Sequence, residues 1–61
     1  MSPAQAQVTV AALQAAFEIE GKTYSFDATA KIIFNVLKHP ESNDPDVCFA
    51  SEWMKSLPSS G

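Results

Sequence analysis

Cys48 is the only cysteine in a chain of 61 residues, and a chain that short with one thiol has few ways to hold itself together. A domain of this length buries roughly 60% of the surface its unfolded form exposes, which leaves a narrow margin of stability. Small scaffolds make up the difference with disulfides, a structural metal or association. A lone cysteine closes no internal disulfide, and His39 is likewise the only histidine, so a closed zinc site of cysteine and histidine ligands cannot be assembled within one chain. The sequence therefore points to one small domain over residues 1–61 that leans on a partner surface, with residues 1–7 and 58–61 expected to fray.

The clearest local pattern is Phe17-Glu18-Ile19-Glu20-Gly21-Lys22-Thr23-Tyr24-Ser25-Phe26. Two alternating segments flank a two-residue turn that begins with glycine, the arrangement of a β-hairpin with a type II′ turn. With Gly21 and Lys22 at the turn, Phe17, Ile19, Tyr24 and Phe26 fall on one face, and Glu18, Glu20, Thr23 and Ser25 on the other, as a sheet with one dry side requires. The spacing predicts a hairpin over about residues 16–26, with those four apolar residues turned inward.

Asp27 follows as a helix N-cap, and Pro40 ends that helix at His39, because the residue before a proline is pushed out of helical geometry. Over residues 28–39, Ile32, Ile33, Val36 and Leu37 form one apolar stripe with Phe34 at its margin, while Lys31, Asn35 and Lys38 face away. Residues 40–46 read as a loop. Asp44 as cap, Pro45 at the first helical position and Asp46 near the positive end of the dipole then start a second helix over 45–57. Its inner face carries Val47, Ala50, Trp53, Met54 and Leu57, with Phe49 alongside. The first sixteen residues support two readings. Ser2-Pro3 followed by alanines, with Ala6, Val10, Leu13 and Phe17 at helical spacing, favours a helix; Val8-Thr9-Val10 favours a third strand. The expected fold class is thus α+β, a hairpin packed against two short helices, with the N-terminal segment helix or strand.

Charge narrows the partners. The formal net charge is −3 and the basic residues are four lysines, with no arginine; phosphate neutralisation and guanine reading both rely on basic side chains, arginine above all, so nucleic-acid binding is disfavoured. No apolar run approaches the roughly 20 residues needed to cross a bilayer, and the start lacks the pattern of a secretory leader, so a cytoplasmic protein is expected.

No constellation carries chemistry. Asn43, Asp44 and Asp46 lack the glycine and the terminal glutamate of a calcium-binding loop at the required offsets. His39 reads as a helix-end residue, and Cys48, on the polar side near the second helix's start, reads as an incidental small residue. With two glycines in all, there is no phosphate-cradling loop. Neither an enzyme, nor a cofactor, nor a small-molecule substrate is expected.

What exceeds the needs of a small core is the set of large apolar residues. Phe34, Trp53 and Met54 are the candidates for an exposed patch, because aromatics and methionine are enriched at interface cores. Glu18 and Glu20, on the hairpin's polar face, would steer the domain towards a basic target, and the hairpin's free edge could add to another sheet. The function expected is a protein-interaction module (an adaptor, inhibitor or regulatory subunit) that self-associates. The alternative is a small transcription-associated regulator using the two C-terminal helices.

Overall fold

The computed structural model describes residues 2–57. They form three helices, α1 (Pro3–Ile19), α2 (Phe26–Lys38) and α3 (Pro45–Lys55), and among the described residues there is no strand. The α+β expectation and its β-hairpin are therefore incorrect. Met1 and residues 58–61, including the tail expected to fray, lie outside the described residues. The described chain falls into two compact units, residues 2–31 and 32–57, and α2 runs through both.

In the first unit, α1 starts on the helical alternative. Ser2 Oγ accepts from the Gln5 N–H at 3.2 Å, and Pro3 occupies the first turn, where its missing N–H costs nothing. Alanines at 4, 6, 11, 12, 15 and 16 supply the highest intrinsic helix propensity. Thr9, a residue type that favours strands, donates its hydroxyl to the Gln5 carbonyl at 3.0 Å and is satisfied within the helix. The buried line is Val10, Leu13 and Phe17, one stripe at helical spacing.

The helix runs on through the segment read as the hairpin's first strand and stops at Gly21, which has φ +84°. The Lys22 N–H donates to the Phe17 carbonyl at 2.9 Å and the Gly21 N–H to the Glu18 carbonyl at 3.0 Å. These are the two bonds of a Schellman helix end, with glycine at the left-handed position. Gly21 thus has the positive φ that a type II′ turn would also need, but a helix terminus imposes it. The intended inward face does not exist: Phe17 is buried, Tyr24 half-buried, Ile19 84% exposed and Phe26 42% exposed. Residues 22–25 return along α1. Gln14 Nε2 donates to the Tyr24 carbonyl at 2.9 Å, and the Phe17 and Tyr24 rings meet edge to face with centroids 5.0 Å apart. A Cβ added at Gly21 would meet nothing within 4 Å, so Gly21→Ala tests backbone conformation alone. It is expected to lower stability by about 1–2 kcal/mol, with Gly21→Asn costing less, in urea titrations followed by circular dichroism.

The start of α2 also differs from expectation. Ser25, not Asp27, performs the cap: its Oγ accepts from the Ala28 N–H at 3.1 Å, and its carbonyl accepts from the Thr29 N–H at 3.0 Å and the Thr29 hydroxyl at 2.9 Å. Asp27 lies in the first turn, favourable to the dipole. The helix therefore covers 26–38 and not 28–39, and it ends with the His39 N–H donating to the Asn35 carbonyl at 2.7 Å just before Pro40.

In the second unit, Asp44 caps α3 through Oδ1, which accepts from the Asp46 N–H at 2.9 Å and the Val47 N–H at 3.3 Å. Pro45 follows at the first helical position. Val47 and Ala50 are buried, Phe49, Trp53 and Met54 half-buried, and Leu57 exposed. The helix ends at Lys55 rather than at 57, with Ser56 Oγ donating to the Trp53 carbonyl at 2.7 Å.

Candidate functional site

The loop joining α2 to α3 holds His39 and Asp44, with Asp46 and Cys48 near the start of α3. Ser42 N–H donates to the His39 carbonyl at 3.0 Å, and Ser42 Oγ accepts from the Asp44 N–H at 3.2 Å, which folds the loop back on itself. A hollow of about 350 Å³ opens here, lined by Ile32, Asn35, His39, Ser42, Asp44, Asp46 and Val47. The Asp44 carboxylate serves the backbone, holding the first turn of α3. Cys48 is exposed, donates its thiol to the Ser42 carbonyl at 3.3 Å, and does not border the hollow that His39 lines. Among the described residues no group of three histidine, cysteine or carboxylate side chains could hold a metal ion.

The five residues proposed from sequence to meet a partner are distributed as follows. Glu18 and Glu20 are exposed at the end of α1, in the first unit, and not on the polar side of a hairpin. Two acids beside the negative end of a helix dipole, with no basic residue in that turn, cost α1 some stability. Phe34, Trp53 and Met54 belong to the second unit, Phe34 on α2 and the other two on α3. Trp53 and Met54 are half-buried and Phe34 is 58% exposed.

Leu37, assigned from sequence to the packed stripe, is 70% exposed. The reason lies in where the core line of α2 runs. Thr29 is fully buried, with its hydroxyl satisfied by the Ser25 carbonyl, and Val36 is buried seven residues later. At about 100° per residue, Thr29 and Val36 lie within about 20° of each other, and Leu37 lies about 100° beyond Val36. The apolar arc of α2 is wider than the part that is covered: Ile32 and Ile33 are half-buried, and Phe34 and Leu37, one turn apart, face water. Lys38 Nζ stands 5.4 Å from the Phe34 ring centroid, within reach of a cation–π contact at the surface.

Contiguous exposed apolar surface with a charged rim is what an interaction face requires. The uncovered side of α2 is the place among the described residues where large apolar side chains stand together in water on one element. Among those residues no helix is long and apolar enough to cross a membrane. No family model, no curated protein and no solved structure matches this chain.

Proposed function

We propose that the chain is a non-enzymatic protein-interaction module whose binding surface is the uncovered apolar side of α2. One observation carries the reading: Phe34 and Leu37 stand largely in water, one turn apart, on a helix whose other side is packed. Covering a leucine or phenylalanine side chain that is fully exposed gains about 1.5–3 kcal/mol. Two adjacent, partly covered ones give a compact centre for a small interface, and such centres are rich in aromatic residues. The rim is polar, with Lys31, Asn35 and Lys38 all exposed. An exposed free thiol at Cys48 suits a reducing compartment, so the reading places the module in the cytoplasm.

The test is site-specific photocrosslinking in the native host, with a photoreactive residue at position 34 or 37 and, as control, at Glu52, which is exposed and paired with Lys55 at 3.2 Å. Protein adducts are expected from 34 and 37 and not from 52. Equal labelling at all three positions, or none, overturns the reading, and so do adducts with nucleic acid in place of protein.

A further inference from the structure

We infer that the occupant of this face is a second copy of the chain, laid antiparallel along α2 so that Asp27 of each copy meets Lys38 of the other. The inference rests on the reading of α2 as a binding face and names what covers it.

Charge placement along the helix is the first argument. α2 carries Asp27 in its first turn and Lys38 in its last. At about 100° per residue the two lie within about 20° of one another around the axis, with Phe34 on the same flank, and they stand about 16 Å apart along it. An antiparallel helix related by a two-fold axis brings each flank against the same flank of its mate. The acidic end of one copy then meets the basic end of the other, and symmetry repeats the pair at the opposite end. A parallel two-fold arrangement would put Asp27 level with Asp27 and Lys38 level with Lys38 on opposite flanks, and neither attractive pair would form.

Packing agrees with that register. Pairing Asp27 with Lys38 places Leu37 of one copy at a level between Phe26 and Ala30 of the other, and Phe34 between Ala30 and Ile33. Each large side chain thus faces the gap that the small Ala30 leaves between larger neighbours, as knobs fit holes between paired helices. Phe26 and Phe34 are exposed, and Ala30 and Ile33 half-buried, so the stripe has surface left to cover. Antiparallel helix dipoles also attract, whereas parallel ones repel. Association is moreover a common way for a domain this small to gain stability in the absence of an internal disulfide.

The experiment is sedimentation velocity on the full chain, with reductant present to exclude crosslinks through Cys48. The wild type is expected to show twice the chain mass at rising concentration. D27K and K38E each turn both attractive pairs into repulsive ones, and each is expected to weaken self-association by at least about tenfold. An equimolar mixture of the two variants restores both pairs and is expected to form a heterodimer. A mixture that stays monomeric, single variants that associate like the wild type, or a wild type monomeric throughout overturns the inference. Should a variant lose its helical signal, carbodiimide coupling of mixed light and heavy wild-type chains decides: a mixed-isotope link between Asp27 and Lys38 is expected, and inter-copy links confined to other residues overturn the arrangement. A monomeric wild type that still yields heavier protein adducts from positions 34 and 37 in the host removes the second copy as occupant and leaves the binding face standing. Absence of adducts removes both.

Discussion

Replacing Phe17 by alanine is expected to cost about 3–5 kcal/mol and to abolish a cooperative melt, while replacing Ile19 by alanine is expected to change stability by no more than about 0.5 kcal/mol. Phe17 is 1% exposed and closes the line Val10, Leu13, Phe17. Its ring also meets Tyr24 edge to face, so truncation removes an aromatic pair as well as buried area and leaves a cavity beside the returning segment. Ile19 is two residues away and points about 200° round the helix, into water. A strand would place both side chains on the same face and make both substitutions severe. The pair of variants, compared by thermal and urea unfolding, therefore reads the secondary structure of residues 17–19 directly. Similar losses from both would contradict the helix. Phe26→Ala extends the test: a hairpin would bury Phe26 beside Phe17, whereas α2 leaves its ring 42% exposed, so its cost should fall well below that of Phe17→Ala.

That contrast shows where the sequence was ambiguous in physical terms. Phe17-Glu18-Ile19-Glu20 alternates over four residues, and a window that short contains barely one helical turn, so period 2 and period 3.6 are both satisfied. Gly21 satisfied both as well, because a type II′ turn and a Schellman helix end each require positive φ. The deciding information lay upstream. Alanine-rich sequence and the line Val10, Leu13, Phe17 carry a helix that needs a terminator four residues after Phe17, and Gly21 stands there. By contrast, the start of α3 was legible because Asp44-Pro45 combines a cap with a residue whose missing N–H only a first turn tolerates. The end of α2 was legible because Pro40 forbids continuation.

The surface of α2 was half legible. The width of its apolar arc already exceeded what a small core covers, and Phe34 sits at the margin of that arc. Leu37 was misplaced because Thr29 counts as polar in a hydropathy pattern, yet it is fully buried with its hydroxyl bonded to the Ser25 carbonyl. A threonine that satisfies itself within its own helix presents only a methyl group outward. Counting it as apolar rotates the core line towards Thr29 and Val36, and away from Leu37. Trp53 and Met54 illustrate the converse: large side chains near the end of α3 lie half in the packing and half out of it, a division that spacing alone does not reveal.

The second large effect is expected at the middle of the same buried line. Leu13 has no solvent exposure, whereas Val8, five residues earlier on α1, is 62% exposed. Leucine is the better helix former of the two, but its extra loss of propensity on substitution by aspartate is only a few tenths of a kcal/mol, so nearly all the difference between Leu13→Asp and Val8→Asp reports burial. At position 13 the variant loses a leucine's packing and must also desolvate a carboxyl group, and together these are expected to cost at least about 4 kcal/mol, enough to unfold so small a chain at neutral pH. The sign of its pH dependence follows from that desolvation. A buried carboxyl is raised above its unfolded pKa of about 3.9, so the folded state binds the proton more tightly. The charge penalty is therefore absent below that pH and grows as pH rises towards the raised value. Acidification from pH 7 to about 4 should return part of the helical circular-dichroism signal to Leu13→Asp relative to wild type, and leave Val8→Asp parallel to wild type throughout. If aspartate is tolerated equally at 8 and 13, Val10, Leu13 and Phe17 do not form the core line of α1, and the burial on which the first expectation also depends is wrong.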